Sequence, residues 1–356
     1  MTPQFPTARL DIDLAALLHN FRILQKQCPT AEAAPVVKAD AYGLGMARIA
    51  AHLASNGART FFVARLDEGV ALRKVLGAGP VIYVLDGLGA GELVAFAVHD
   101  LRPVLNHTDQ YADWLSGPEN VKAALHIDTG MNRLGLRPEH IQSLAGHHDR
   151  QPSLIMSHLA CGDEPGHPLN HQQLMAFRHA SATFVGVPIS MANSAGAFLD
   201  PAYHFDLIRP GISLYGGGPF GTAHPDIRPV AHLHARVLQV RDLKAGETVG
   251  YGAAFVAPRD MRLATLGIGY ADGVLRSFAA RGTIWIGGEH RQLTGRVSMD
   301  VISVDVTGLD VACGDWAELL GSRQNLDAIA TAAGTIGYEL LTRLGSRLPH
   351  HYIQAA

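Results

Sequence analysis

The sequence predicts an α/β protein, a (β/α)8 barrel of the TIM type at residues 1–225 followed by a C-terminal mainly-β domain at residues 226–356. Short apolar, β-branched runs recur from Ala34 to Leu214, each followed by a turn and a helical stretch of small and apolar residues. Several runs end directly in polar loops containing glycine, as strands of a barrel do at their C-terminal face. After Leu214 the rhythm stops, and strand-and-turn patterning with little helix takes over.

In chain order the candidate barrel strands are Ala34–Lys38, Thr60–Ala64, Val81–Leu85, Arg102–Leu105, Ala123–Ile127, Leu154–His158, Pro188–Ala192 and Leu207–Leu214. An open doubly wound sheet gives similar local patterns; the count of eight favours the barrel. A Gly-, Pro- and His-rich connection leads to about Pro229, and the runs Ala231–Val240, Leu263–Ile268, Thr283–Ile286 and Val301–Val306 then read as strands. Lys244-Ala245-Gly246-Glu247 and Gly287-Gly288-Glu289-His290 read as turns between strands. Helix returns after Asn325, with Asn325 or Asp327 placed to cap it.

At 356 residues the chain exceeds one ordinary core, and with 47% hydrophobic and 17% charged residues it has ample material to bury. Formal charge is −3, which gives no footprint for nucleic acid and no polybasic run for an anionic membrane. Cys28, Cys161 and Cys313 lie far apart without C-x-x-C spacing, so neither a disulfide framework nor a metal site is expected. The N-terminal residues lack a basic start followed by an apolar run, and no stretch is long and apolar enough to span a bilayer. These observations point to a cytoplasmic protein whose partner is a small molecule.

Chemically able residues cluster at the ends of the candidate strands. Lys38 closes the first run in Val36-Val37-Lys38-Ala39-Asp40-Ala41-Tyr42-Gly43, where the apolar residues before it desolvate its ammonium. A desolvated lysine has a lowered pKa and condenses with an aldehyde; a lysine at a strand end is also, ordinarily, a cation with its charge in water. Asn193 and Ser194 after the seventh run, and Arg209-Pro210-Gly211-Ile212 around the eighth, stand where barrels bind phosphate. Read singly, they are a helix cap and a bulge.

Together these residues resemble the fold-type III pyridoxal-phosphate enzymes, and among them the alanine racemases. The resemblance runs from Asp11-Ile12-Asp13-Leu14 to Arg343-Leu344-Gly345-Ser346-Arg347. It rests on Val36-Val37-Lys38-Ala39-Asp40-Ala41-Tyr42-Gly43, Asp128-Thr129-Gly130-Met131-Asn132-Arg133, Asn193-Ser194-Ala195, Arg209-Pro210-Gly211-Ile212, Gly269-Tyr270-Ala271-Asp272-Gly273 and Gly295-Arg296-Val297-Ser298-Met299-Asp300, in the family's order. It implies pyridoxal 5'-phosphate as cofactor, held as a Schiff base on Lys38, which also moves a proton on one face of the substrate. It implies Tyr42, Ser194, Gly211, Ile212 and Tyr338 as a phosphate cradle, and His158 beside the cofactor, linked to Arg209 and to a tyrosine base. That tyrosine is Tyr270, which in the family reaches the cofactor of the other subunit, so a homodimer is implied. Arg133 in its Met-x-Arg setting, Met299 through its backbone, and Asp300 correspond to residues that meet the substrate. The activity implied is interconversion of L- and D-alanine, supplying D-alanine for peptidoglycan.

Arg209 against a pyridine nitrogen is informative, because a guanidinium does not give up a proton. It weakens the ring as an electron sink and favours quick return of a proton over transamination. Two positions depart from the family pattern. His126 stands where the family often has a carbamylated lysine, and Leu44 where it commonly has histidine. The alternatives are a racemase of broader specificity, such as one for serine, a decarboxylase of the same architecture, and a non-catalytic pyridoxal-phosphate carrier. Arg209 and Ser298 argue against the decarboxylase, and the region containing Tyr270 against the carrier.

Overall fold

Runs such as Phe61-Phe62-Val63 show no polar alternation, the pattern of a parallel strand buried on both faces. In the computed structural model, which describes residues 6–145, 150–345 and 347–354, Phe61, Phe62, Val63, Leu105, Leu125 and Ile155 are wholly buried. Thr60–Val63, Val81–Val84, Arg102–Leu105, Ala124–His126, Leu154–Met156 and Ile189–Ser190 pair in that order as a parallel sheet, and Glu32–Ala33 pairs with Leu207–Ile208. Backbone hydrogen bonds carry the ring across both seams. Phe62 N–H donates to Pro35 O at 2.9 Å and Val37 N–H to Phe62 O at 2.9 Å, while Arg209 N–H donates to Ala192 O at 2.8 Å. Seven of the eight expected runs therefore contain a strand, whereas the first is preceded by its strand, Glu32–Ala33, and joins Thr60–Val63 through a single bridge from Val36 to Phe62.

All the runs but Arg102–Leu105 end earlier than their sequence suggests, most by one or two residues, so that His158 lies past the end of the sixth strand. Lys38 lies outside the ladder, at the first residue of a helical turn, Lys38–Gly43. The eighth strand stops at Ile208, and Ile212–Tyr215 is a 3-10 turn. The surrounding helices bury one stripe each, as Met46, Ile49, Ala50 and Leu53 do on Met46–Ser55.

Residues Asn20–Ala41 and Gly45–Leu214 make up one compact unit; residues up to His19, Tyr42–Leu44 and those from Tyr215 onward make up the other. In the second unit the long strand Ala231–Leu243 is central, pairing with Met261–Leu266 and Trp316–Leu320. Ile302–Asp305 extends the first of these, and the hairpin Thr283–Ile286 with Glu289–Gln292 extends the second. Ala8–Asp13 also belongs here, antiparallel to Ala231–Leu243 and parallel to His350–Ile353. The sequence reading counted these N-terminal residues with the barrel; their ladder is with the C-terminal sheet. Asn325 caps Leu326–Ala333 through Ala328 N–H at 2.9 Å, whereas Asp327 accepts from Gly218 N–H at 2.8 Å.

Candidate active site

The turn that begins at Lys38 is left-handed. Ala39, Asp40, Ala41 and Tyr42 have φ of 52°, 53°, 54° and 58°, and Gly43 follows at 83°. L-residues avoid this conformation because Cβ crowds the next carbonyl, at about 1–2 kcal/mol each. Local bonds oppose that cost: Ala41 N–H donates to Val37 O at 2.9 Å, and Met46 N–H to Asp40 Oδ1 at 2.7 Å. Burial lowers the Lys38 ammonium from its ordinary value, Arg133 lowers it further, and Asp86 and Glu68 oppose the shift. The outcome is a more readily neutral amine.

Arg209 leaves the eighth strand and lies buried. It donates to Ser190 Oγ, to Ser157 O at 2.5 Å and to Met191 O at 3.2 Å, so the ends of two neighbouring strands fix its plane. Burial pushes the guanidinium down to about 9, which leaves it cationic at neutral pH. Arg209 Nη2 also meets His158 Nδ1 at 3.4 Å. A guanidinium can only donate, so this ring nitrogen accepts and the imidazole carries its proton on Nε2. Burial, then Arg209, His126, Arg133 and Lys38, hold His158 well below its ordinary range and therefore neutral.

Ser194 is buried, and its Oγ accepts Gly211 N–H at 2.9 Å and Ser213 N–H at 3.2 Å. An oxygen that accepts two amides still has its own proton to give. Ile212 follows at the start of the 3-10 turn. Nearby, Ser213 Oγ is buried with no partner among the described residues. Asn193 is used locally, accepting Gly196 N–H at 2.9 Å.

His126 is buried, and its Nδ1 lies 2.8 Å from Asn106 Oδ1. Asn106 spends its amide protons on Leu85 O and Val104 O, which leaves Oδ1 to accept. His126 therefore carries its proton on Nδ1 and offers a lone pair at Nε2. Desolvation, then Arg209, pushes it down to about 4. The loop bearing Arg133 is organised by Asp128, whose Oδ1 accepts the amides of Gly130, Met131 and Asn132 at 3.0, 2.9 and 3.1 Å. Gly135 closes it at φ 112°, where a Cβ would come within 2.8 Å of Asp128 N.

In the other unit, Tyr42 is buried with its ring 4.7 Å from that of Tyr215 and 5.9 Å from that of Tyr338. Burial and Tyr338 raise its phenol, so it remains a neutral donor. Leu44 is wholly buried and its carbonyl accepts Tyr352 Oη–H at 3.1 Å, so an apolar side chain suits that position. Tyr270 is 45% exposed, yet its backbone is tightly held. Tyr270 and Ala271 N–H donate to Ser298 O and Met299 O at 2.9 and 3.1 Å, and Asp272 Oδ2 accepts Gly269 N–H at 2.9 Å. Arg347 bridges Asp272 and Asp300 at 3.3 and 2.8 Å, which joins the Tyr270 turn to the Met299-Asp300 loop. Ser346 of the terminal motif lies outside the described residues.

One neighbourhood thus gathers Lys38, His126, Arg133, His158 and Arg209, coupled through their charges, with Ser194 and Gly211 bonded beyond them. In the other unit Tyr42 stands with Tyr338, and a second group joins the Tyr270 turn to Met299, Asp300 and Arg347. The residues that fix these side chains were not singled out from sequence: Glu68, Asn106, Asp128, Asp272 and Arg347. Asp128 and Asp272 stand inside recognised motifs, but a bond to a backbone amide several residues away has no signature of its own. Among the described residues no cluster could hold a metal ion, and no helix is long and apolar enough to cross a membrane.

A parallel barrel with a half-buried, desolvated lysine on the turn that follows its first run, accompanied by a strand-rich unit, defines a class of lysine-bearing barrel enzymes. The model of the alanine racemase N-terminal domain matches residues 12–219, and that of the alanine racemase C-terminal domain residues 230–352. The chain belongs to the alanine racemase family. It is 44% identical to an alanine racemase of Rhizobium meliloti, over 100% of both chains, and 46% identical to one of Dinoroseobacter shibae, over 97% and 98% of the two. The crystal structure of alanine racemase from Bartonella henselae, with covalently bound pyridoxal phosphate, superposes with a TM-score of 0.93 at 39% identity, covering 98% of this chain and 100% of that one.

Proposed function

We propose that this chain is a pyridoxal-phosphate-dependent racemase that interconverts L- and D-alanine in the cytoplasm as a homodimer. The observation that carries this reading is the desolvated Lys38 amine in one charge-coupled group with a buried Arg209 that is cationic at neutral pH. The donor set fits the cofactor: an amine for its aldehyde, a guanidinium for its ring nitrogen, and the Ser194 hydroxyl for its phosphate, beside an orphaned Ser213 Oγ. Free Cys28, Cys161 and Cys313 suit a reducing compartment.

Bound pyridoxal phosphate withdraws electrons from the substrate α-carbon and makes its proton acidic. Lys38 removes or returns that proton on one face. Arg209, which donates and never accepts, would hold the ring nitrogen of the cofactor as an acceptor and so favour return of the proton over its loss. Tyr270 of the partner subunit serves the opposite face; its exposure on a rigidly bonded turn supports that role. His158, with its proton on Nε2, donates toward that phenol. Arg133, on the loop fixed by Asp128, and Asp300 meet the substrate.

Tyr270→Phe tests the two-base reading. Net racemisation must fall equally in both directions, because the enantiomers have an equilibrium constant that no catalyst alters. In deuterated water, however, the variant is expected to keep exchanging the α-proton of D-alanine through Lys38 and to lose exchange of L-alanine by roughly 10²–10⁴-fold. Mixing Lys38→Ala with Tyr270→Phe subunits should restore racemisation, since a mixed dimer regenerates one intact site. Equal loss of exchange for both enantiomers, without recovery on mixing, would refute the assignment.

A further inference from the structure

We propose that Glu68 is a positioning residue for Lys38, its carboxylate fastening the left-handed turn that begins at the lysine to the start of the helix Leu66–Leu76. The proposal rests on Lys38 being the residue that holds pyridoxal phosphate.

The two oxygens of Glu68 have different tasks. Oε2 accepts Ala64 N–H at 2.8 Å and Arg65 N–H at 3.2 Å, the ordinary reach of a residue in the first helical turn back to unpaired amides. Capping needs no more than this. Oε1 is given to Ala39 N–H at 2.7 Å, the shortest of these bonds and one to a residue 29 positions away. Ala39 directly follows Lys38 and is the first of four non-glycine residues with left-handed φ. An alanine held in that conformation is disfavoured roughly five- to thirtyfold, so the turn needs an anchor outside itself. Without one it relaxes toward right-handed φ and re-aims Cα–Cβ of the adjacent lysine. Glu68 also helps oppose the lowering of the Lys38 ammonium, as expected of a carboxylate at this distance. Glutamine cannot substitute: one of its two termini is an amide donor facing backbone N–H groups.

The test measures equilibrium loading of pyridoxal phosphate onto the apoprotein, by absorbance and by borohydride fixation, beside thermal unfolding of the same samples. Glu68→Gln is expected to weaken loading about tenfold or more. Ala39→Gly in that background is expected to recover about fivefold, because glycine adopts positive φ without penalty. Asp67→Asn, exposed on the same turn, is expected to change nothing. Loading within twofold of the parent in Glu68→Gln overturns the proposal. So does a loss that Ala39→Gly leaves untouched, since Glu68 then acts through charge or packing. Lys38→Ala that still takes up reducible cofactor overturns the assignment of Lys38 itself, and the proposal with it. Should Glu68→Gln fail to fold, hydrogen exchange in the parent decides: the Ala39 amide is expected to be protected, and exchange as fast as that of the exposed Asp67 amide overturns the clamp.

Discussion

His126 shows how a single side chain can be settled by its neighbours. The carbamylated lysine often found at this position in the family is an anion, whereas here the residue is a neutral imidazole with its proton fixed on Nδ1 by Asn106. Arg133 accordingly depends on its backbone, through Asp128, for placement. The His126 pKa falls from its ordinary 6.5 to about 4 in the folded chain. Above 6.5 the ring is neutral in both states and the protein keeps its full stability; between 6.5 and 4 only the unfolded chain takes up the proton, so stability falls as pH drops. A shift of this size corresponds to about 3 kcal/mol, nearly complete by pH ~4. His158 acts in the same direction. Urea unfolding of the parent and of His126→Gln at neutral and at acid pH isolates the His126 share. The variant is expected to lose less stability on acidification, and parallel profiles would contradict this account.

At the scale of single elements, local sequence signals hold where the backbone is satisfied locally. Gly287 and Gly288 have φ of 58° and 87° between strands that pair Ile286 with Glu289, the left-handed two-residue turn that matches strand twist. A Cβ on Gly288 would meet nothing within 4 Å, while one on Gly287 would come within 3.0 Å of Val311. Gly288→Ala should therefore cost only the conformational penalty, about 1–2 kcal/mol, and Gly287→Ala more. Thermal unfolding ranks the two, and equal costs would argue against a steric contribution at Gly287. The Lys38–Gly43 turn is the opposite case. Its sequence contains no glycine before Gly43, and nothing in Ala39-Asp40-Ala41-Tyr42 announces left-handed φ; bonds from outside the turn, including that of Glu68, impose it.

At the scale of the molecule, the strand Ala8–Asp13 lies between Ala231–Leu243 and His350–Ile353, so two distant parts of the chain meet across it. Leu10 and Ile12 are wholly buried there. Leu10→Ala is expected to cost about 2–5 kcal/mol. Hydrogen exchange should report the loss in the amides of Ala231–Leu243 and His350–Ile353, while those of Thr60–Val63 keep their protection. Equal loss in both sets would mean that Leu10 stabilises the barrel strands as strongly as the sheet it joins.

What the sequence by itself determined is the barrel's run of strands, the chemistry-bearing residues at their ends and the motifs that carry the family resemblance. Each depends on periodicity, residue type or short spacing, and these survive in a one-dimensional string. Tertiary structure alone decided the partner of Ala8–Asp13, the tautomers of His126 and His158, the plane of Arg209 and the hand of the turn after Lys38. Each of these depends on hydrogen bonds between residues far apart in the chain, such as Ala39 with Glu68 and Arg209 with Ser157. Such bonds favour no residue pattern strongly enough to be read locally, because a buried amide or carbonyl accepts any partner that the fold brings within reach.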